Sequence, residues 1–205
     1  RYIMWGVNDF IYERYEVLRD KHNFTPTKVL DIGAHFGNWY KTIKSIYPDA
    51  EVLSVEANPN CTTKLSRVNP NSIISCLGKE EGTTQFYINP SDPYCTGASM
   101  YREITLPVKT LDSLNQQFDF IKMDVQGAEF DVIKGGLNTI HNATILQLEL
   151  EMLDYNKGAP KASEIITNLY NLGFDLFDIG SFYYWDKKLN QSDMFFVNRN
   201  KLDIR

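Results

Sequence analysis

Short apolar runs rich in β-branched residues alternate along this chain with amphipathic stretches, and this alternation restricts the fold more than any other feature. The runs predict buried strands at Lys28–Gly33, Glu51–Glu56, Ser72–Leu77, Phe118–Asp124 and Ala143–Glu149. The amphipathic stretches predict helices at about 38–47, 59–68, 128–140 and 160–172. Strands that alternate with helices favour an α/β fold with a doubly wound, mainly parallel sheet.

Two stretches depart from this rhythm, and both are typical of β structure. Residues 83–110 hold two strand-like runs around a loop rich in Pro, Ser, Asp and Gly, which predicts a β insertion and a candidate substrate cover. Near the C-terminal end, Phe174–Gly180 and Asp193–Asn198 flank a polar turn close to Lys187. We expect these two strands to close the sheet as an antiparallel pair.

Length and composition favour a single domain. A chain of 205 residues with 43% apolar content can close one sizeable core, which we place at about 28–198. Residues 9–21 predict a helix that covers the sheet, because Phe10, Tyr15 or Val17, and Leu18 lie near helical spacing.

The net charge and the cysteine content restrict the expected classes of partner and the expected cellular compartment. A net charge of −5 offers no large attraction to nucleic acid or to anionic membranes, so a small polar or neutral substrate is expected. The 3 cysteines have no CxxC spacing and an odd count, which favours a reducing, cytoplasmic location. We expect no membrane span and see no signal peptide, although the chain begins at Arg1 and an upstream segment can be missing.

The turn after the first strand, Asp31-Ile-Gly33-Ala-His-Phe-Gly37, predicts a ligand site. Glycines there let the backbone approach a ligand, and the next helix offers unpaired N–H groups. Together with the Asp31 carboxylate, this turn can hold a zwitterionic amino acid group. A dinucleotide-binding turn would need glycine at 35 and a small residue at 38, where His35 and Asn38 stand. A tight turn without any ligand remains an alternative.

Acidic residues follow the later strands. Glu56 ends the second strand, where a carboxylate can accept both hydroxyl protons of a ribose, although Asn58-Pro59 also reads as a helix start. Asp124, Glu129 and Glu149 follow or end later strands, so we expect Asp31, Glu56, Asp124 and Glu149 to face one crevice. Cations or raised pKa values would be needed to relieve their repulsion. Glu129 equally suits a role at a helix N-terminus. No histidine pair has metal-ligand spacing.

The order and spacing of these segments resemble the FkbM-type methyltransferases. The resemblance covers about 28–198 and includes Val55-Glu56-Ala-Asn-Pro59, Val108–Asp112, Ile121–Glu129, Leu148-Glu149, Ala98-Ser99-Met100 and Gln191–Val197. It implies a Rossmann-like O-methyltransferase that uses S-adenosylmethionine (SAM), often acting on sugar or polyketide hydroxyls. His35 stands where that family commonly has Asn. Gln126 stands where it has Glu, which removes a candidate carboxylate and leaves the metal undetermined.

Carried over by position, the resemblance assigns roles to individual residues. It implies a cofactor site formed by Asp31, Gly33, Ala34, His35, Gly37, Asn38, Glu56, Ala57, Leu77, Gly78 and Asp124. It implies catalytic acids at Asp124, Glu149 and Glu129, and acceptor contacts at Ser99 and Asp193. Tyr155, in the segment at about 153–160, is a further candidate for acceptor binding because an aromatic ring can stack on a sugar face, with plain loop packing as the alternative. Our hypothesis is that Asp124 or Glu149 takes the hydroxyl proton or orients the acceptor, a sugar, glycan or similar small molecule.

Three alternatives remain at this stage. An enzyme that methylates amino groups of nucleic acids would typically carry an Asn/Asp-Pro-Pro-Tyr/Phe element after the fourth strand, whereas Asp92-Pro93-Tyr94 lies in the insertion. A module could bind SAM or a nucleotide without catalysis. An NAD-dependent reductase fails the glycine pattern and can be tested by cofactor-dependent thermal shifts.

Overall fold

A seven-stranded sheet forms the centre of the molecule in the computed structural model, which describes residues 8–88, 102–153 and 158–204. The strands of these residues are β1 Lys28–Ile32, β2 Glu51–Glu56, β3 Ser72–Ile74, β4 Cys76–Leu77, β5 Gly82–Ile88, β6 Arg102–Lys109, β7 Phe120–Met123, β8 Ile145–Glu151, β9 Phe174–Trp185 and β10 Lys188–Asn198. The main sheet has the order β3-β2-β1-β7-β8-β10-β9. Its first five strands in that order run parallel, and β10 is antiparallel to both neighbours. The predicted fold class is confirmed.

The last two strands form a hairpin that is longer than expected. The turn at Asp186 and Lys187 has positive φ at both residues, 46° and 62°, as a tight two-residue hairpin turn requires. The strands continue to Trp185 and from Lys188 because the aromatic residues after Gly180 favour extended backbone. The predicted strand-turn-strand pair is therefore confirmed with wider bounds.

Helices cover both faces of the sheet. They are α1 Asn8–Asp20, α2 Asn38–Ile46, α3 Thr62–Val68, α4 Glu129–Lys134, α5 Leu137–Asn142 and α6 Ala162–Asn171. Apolar side chains of α1 and α2 pack with Val29, Phe120 and Phe195 on one face. Those of α4, α5 and α6 pack with Leu30, Ile121 and other alternate strand residues on the opposite face. Among the helices of the described residues, none has both the length and the apolar character needed to span a bilayer.

Helix α1 covers the sheet as predicted, with one error. Tyr15 and Leu18 are fully buried, and the Tyr15 ring lies 5.6 Å from the Phe195 ring and 6.1 Å from the Phe120 ring. Phe10 is 55% exposed, so its predicted place on the buried face is wrong. The helix is held by its centre, where Tyr15 meets the sheet.

Two predicted helices are interrupted. The segment expected to be helical at 128–140 breaks at Gly135 and Gly136, between α4 and α5. A Cβ atom at Gly135 would lie 2.0 Å from the carbonyl oxygen of Gly78, so a neighbouring loop crosses the break at close range. The segment at 59–68 begins as a 3₁₀ turn, Pro59–Cys61, before α3. Local periodicity does not detect a close approach by a distant loop.

The strand predicted at 72–77 is divided into β3 and β4, which belong to two different sheets. Ser75 N–H donates to the carbonyl of Glu56 at 2.8 Å, after which β4 leaves the main sheet and pairs with β6. The second sheet has the order β4-β6-β5, and β5 and β6 are antiparallel. The expected β insertion is confirmed, and residues 89–101 lie outside the described part of the chain.

Candidate functional site

A cleft of about 440 Å³ opens at the carboxyl ends of β1, β2 and β7. This volume lies within the range of small-molecule sites, roughly 300–1,000 Å³. The lining residues come from the β1 turn, the end of β2, the β3–β4 junction, strand β5 and the loop after β7. They are Ile32, Gly33, His35, Val55, Glu56, Ala57, Ser75, Cys76, Leu77, Thr84, Gln85, Phe86, Asp124, Val125, Gln126 and Ala128.

The cleft brings together part of the predicted cofactor set. The predicted residues that line it are Gly33, His35, Glu56, Ala57, Leu77 and Asp124. Those that do not are Asp31, Ala34, Gly37, Asn38 and Gly78. Of the four acids expected to face one crevice, Glu56 and Asp124 line the cleft, whereas Asp31 and Glu149 do not.

The glycines of the β1 turn are constrained by the protein itself. Gly33 has φ +77°, and a Cβ there would lie 1.8 Å from the carbonyl oxygen of Asp124. Gly37 has φ +78°, and its Cβ would lie 2.8 Å from the Val68 side chain. Both positions therefore require glycine for backbone conformation and for packing. Contacts with the residue after β7 and with α3 therefore hold the turn in place without the help of a ligand.

Glu56 is a nearly buried carboxylate with an organised set of donors. It is 6% exposed and accepts the backbone N–H of His35 at 2.7 Å and that of Asn58 at 2.7 Å, one on each oxygen. The Asn58 side chain also accepts the N–H of Asn60, so the predicted helix start is present as well. Each carboxylate oxygen has a second lone pair, so Glu56 can still accept further hydrogen bonds from a ligand.

Asp31 is fully buried and pairs with a lysine that the sequence analysis did not identify. Lys122 Nζ lies 3.4 Å from Asp31 Oδ1 and 3.7 Å from Asp124 Oδ2, and it donates to the carbonyl of Gly33 at 3.2 Å. Burial raises the pKa of Asp31 to about 6, against the opposing effect of Lys122. The register of β1 with β7 pairs Asp31 with Lys122 directly. That register, applied to the sequence, could have found the pair.

Three acids form what we call the acid row: Asp124, Glu149 and Asp193. Asp193 is the cross-strand partner of Glu149, and Asp124 follows β7, which pairs with β8 up to Met123 and Leu148. Burial, followed by the charges of Asp124 and Asp193, raises the pKa of Glu149 to about 9. Burial also raises the pKa of Asp193.

Lys122 supplies the cation that such a row needs. Burial lowers the pKa of Lys122, but Asp31, Asp124, Asp193 and Glu149 together outweigh that effect and raise it above its ordinary value. Lys122 is therefore charged at neutral pH. The predicted repulsion between the acids is relieved within the fold, by this lysine and by raised pKa values.

Gln126 links two members of the acid row. Its Nε2 donates to Asp124 Oδ1 at 2.8 Å and to Glu149 Oε2 at 3.0 Å. Gln191 adds a second donor to Glu149 at 3.2 Å. A glutamate at 126 would replace a shared donor with a further carboxylate, so the departure from the family pattern has a direct structural effect.

Glu129 lies behind the loop rather than in the cleft. It is 3% exposed and accepts the N–H of Val125 at 3.0 Å and that of Gly127 at 3.3 Å. Burial raises its pKa to about 7. These contacts fix the loop that carries Asp124 and Gln126, which agrees with the alternative reading of Glu129 at the start of α4.

Strand β5 lines the cleft beside Leu77, a contribution that the sequence analysis did not resolve. Thr84, Gln85 and Phe86 form this wall with Cys76. The described part of the expected substrate cover thus lies on the side of the cleft that holds Ser75–Leu77. Gly78 instead packs behind the wall, where its Cβ would lie 2.9 Å from Val108.

Two of the predicted acceptor contacts, Ser99 and Tyr155, lie outside the described residues. Within the described ranges, no group of three or more His, Cys, Asp or Glu side chains is arranged to hold a metal ion. Cys61 and Cys76 are free thiols.

Comparison with known proteins decides the family. Residues 31–176, more than two thirds of the chain, match the sequence model of the Methyltransferase FkbM domain. This chain belongs to the FkbM methyltransferase family. A comparison of this FkbM chain with curated proteins gave no match.

Solved structures with the same fold include several methyltransferases. Methyltransferase FkbM from Methylobacillus flagellatus KT has a TM-score of 0.55 at 16% identity over 88% of this chain, which spans only 47% of that protein. Magnesium protoporphyrin IX methyltransferase from Synechocystis PCC 6803, with bound SAM, has a TM-score of 0.55 at 13% identity, covering 91% of this FkbM chain and 76% of its own. The N-terminal domain of EvdMO1, in the presence of S-adenosylhomocysteine (SAH) and D-fucose, has a TM-score of 0.52 at 10% identity. The match covers 94% of this chain and 84% of that one.

Proposed function

We propose that this chain transfers a methyl group from SAM to a hydroxyl of a sugar or similar small polar acceptor. The observation that carries the proposal is the arrangement of one cleft, which has Glu56 at the end of β2 and Asp124 after β7. The acid row begins at Asp124, and the side chain of Gln126, which also lines the cleft, links Asp124 to Glu149.

The residues present suit SAM. Glu56 keeps a free lone pair on each oxygen for the ribose hydroxyls, and Ala57 and Leu77 give an apolar surface near it for adenine. Gly37 is the N-cap residue of helix α2 and provides no side-chain cap, so the first N–H groups of the helix can receive the methionine carboxylate. When bound, SAM supplies a methyl carbon activated by an adjacent sulfonium.

Asp124 is the acid best placed to receive the proton of the acceptor hydroxyl. It lines the cleft and its side chain is 34% exposed. Burial and the neighbouring acids raise the pKa of Glu149, which favours its protonated form and makes it less suited than Asp124 to act as the base. As the new oxygen–carbon bond forms and the carbon–sulfur bond breaks, the hydroxyl proton passes to Asp124 and SAH leaves.

A neutral polyhydroxyl acceptor fits this surface better than an anion. The Asp124 carboxylate at the cleft disfavours phosphate and carboxylate groups, whereas the Asp124 carboxylate can accept hydrogen bonds from hydroxyls and the Gln126 amide can both donate to them and accept from them. The D-fucose present with one protein of the same fold adds support for a sugar. The net charge of −5 also disfavours nucleic acid as acceptor.

The test is transfer of labelled methyl from SAM to a panel of neutral sugars and glycans. We expect Asp124→Asn to lower turnover by about 10²- to 10⁴-fold, as for loss of a general base, while SAH affinity stays near that of wild type. Glu56→Ala should instead weaken SAH binding. Asp131→Asn, which changes an exposed acid of α4, is the matched control.

Three results would contradict the proposal. Full turnover in Asp124→Asn would remove this residue as the base. Binding of SAH without transfer to any acceptor would favour a non-catalytic module. Methyl transfer to amines rather than hydroxyls would favour an enzyme of the amino-group class.

A further inference from the structure

A continuous chain of hydrogen bonds joins helices α1 and α2 to the acid row. Trp39 Nε1 donates to the Tyr15 hydroxyl at 2.8 Å, and Tyr15 donates to Gln147 Oε1 at 2.7 Å. Gln147 Nε2 then donates to Asp193 Oδ1 at 3.0 Å. Tyr15, Gln147 and Asp193 are all buried. We call the first three residues, Trp39, Tyr15 and Gln147, the buried relay.

The direction of the relay follows from the chemistry of its first member. An indole N–H can only donate, so the Tyr15 oxygen must accept from Trp39 and its own proton points elsewhere. The partner for that proton is Gln147 Oε1. The amide of Gln147 is therefore oriented with its NH₂ towards Asp193. The reverse orientation would leave the buried Tyr15 proton without a partner and turn an amide oxygen towards a carboxylate.

The surroundings of Asp193 make this orientation important. Burial raises its pKa, and the hydrogen bond from Gln147 is the largest effect that opposes the rise. Tyr183 donates to the other oxygen at 3.3 Å. The titratable and polar groups facing Asp193 are Lys122 and Asp124 from β7 and its end, Glu149 from β8, Tyr183 and Ser181 from β9, and Tyr15 from α1.

We propose that the buried relay is a positioning device, by which Tyr15 of the covering helix fixes the Gln147 amide with its NH₂ towards Asp193 and so holds the Asp193 carboxyl in place. The consequence for acceptor binding rests on the proposed function, but the effect on Asp193 does not. Helix α1 is then part of the machinery that prepares the acceptor side of the site. Tyr15 and Gln147 are positioning residues, since they act through Asp193.

The test follows the Asp193 carboxyl directly, by NMR titration of ¹³C-labelled aspartate in the full chain without SAM or acceptor. The resonance is assigned with Asp193→Asn. In Tyr15→Phe the amide is free to turn its oxygen towards Asp193, which favours the protonated acid. We expect the ionisation constant of Asp193 to fall about tenfold, since a hydrogen bond to a charged group is typically worth one to two factors of ten.

Tyr47→Phe is the matched control. The Tyr47 hydroxyl is also buried and also anchors α1, by donating to the backbone carbonyl of Tyr15 at 3.1 Å, but it lies outside the relay. We expect it to lower thermal stability and leave the Asp193 titration unchanged. Gln147→Met, of similar size, should reproduce the effect of Tyr15→Phe and serves in its place if that variant does not fold.

Equal titration of Asp193 in wild type, Tyr15→Phe and Gln147→Met would overturn the proposal, and so would an equal change in Tyr47→Phe. Because this readout needs no methyl transfer, it stands apart from failure of the proposed function. Where an acceptor is identified, Tyr15→Phe should also move the acid limb of the kcat profile to higher pH and leave the KM for SAM unchanged.

Discussion

Lys122 lies inside the sheet with its ammonium group between carboxylates of the β1 turn and of the acid row. Its side chain is 7% exposed, and Asp31 beside it is fully buried. Within the described residues neither oxygen of the Asp31 side chain has a hydrogen-bond partner, so the ion pair with Lys122 is the contact that compensates its charge. Removing one member of a buried ion pair leaves an uncompensated charge, which costs far more than replacing both members.

We therefore expect Lys122→Met to lower the free energy of unfolding by about 3–5 kcal/mol. Urea denaturation at pH 7 measures the change. The double variant Lys122→Met, Asp31→Asn should recover part of the loss, because no buried charge is then left unpaired. A loss of less than about 1 kcal/mol in the single variant would mean that the pair contributes no more than a surface ion pair.

At the scale of elements, the β1 turn and the loop after β7 touch at Gly33. The turn was recognised from its sequence, because an acid and two glycines at a strand end are a local pattern. The reason for the first glycine was not local, since the carbonyl of Asp124 that blocks a Cβ belongs to the loop after β7, far along the chain. The breaks at Ser75 and Gly135 escaped prediction for the same reason.

Two variants, Gly33→Ala and Gly158→Ala, distinguish the two reasons why position 33 requires glycine: its left-handed backbone and its close packing against Asp124. Both glycines have positive φ, +77° and +87°, but of these two only Gly33 has an atom of the described residues in the way of a Cβ. Gly158→Ala should cost about 1–2 kcal/mol for the left-handed backbone alone. Gly33→Ala should cost clearly more and weaken SAH binding, as measured by urea denaturation and calorimetry. Equal costs would show that the turn can move away from β7.

For the whole molecule, the alternation of strands and helices was sufficient to predict the parallel sheet and its antiparallel closure. It was also sufficient to place Glu56 and Asp124 at one edge, since parallel strands end on the same side. Lys122, Gln126 and the buried relay could not be predicted in the same way. Their roles depend on registers between strands and on side-chain directions, which only the assembled sheet defines.

Acids with raised pKa values also make the stability of the whole fold depend on pH. Glu149 has its pKa raised from 4.5 to about 9, and Glu129 from 4.5 to about 7, in each case chiefly by burial. Between the unfolded and folded pKa values, the folded chain holds a proton that the unfolded chain has released. Unfolding is then favoured progressively as the pH rises, so the free energy of unfolding falls across this window.

We expect the melting temperature of the wild type to fall between pH 7 and pH 9, because folded Glu149 still holds a proton that the unfolded chain has released. Glu149→Gln stays neutral and can still accept from Gln126, so it should melt about 2–4 °C higher than wild type at pH 9 for each kcal/mol regained. Glu80→Gln, at an exposed site, is the control and should follow the wild type. Calorimetric scans across this range decide the question. If Glu149→Gln and wild type fall in parallel, the proton of Glu149 is not what couples this fold to pH, and Asp124 would have to share its site with a second ionised acid.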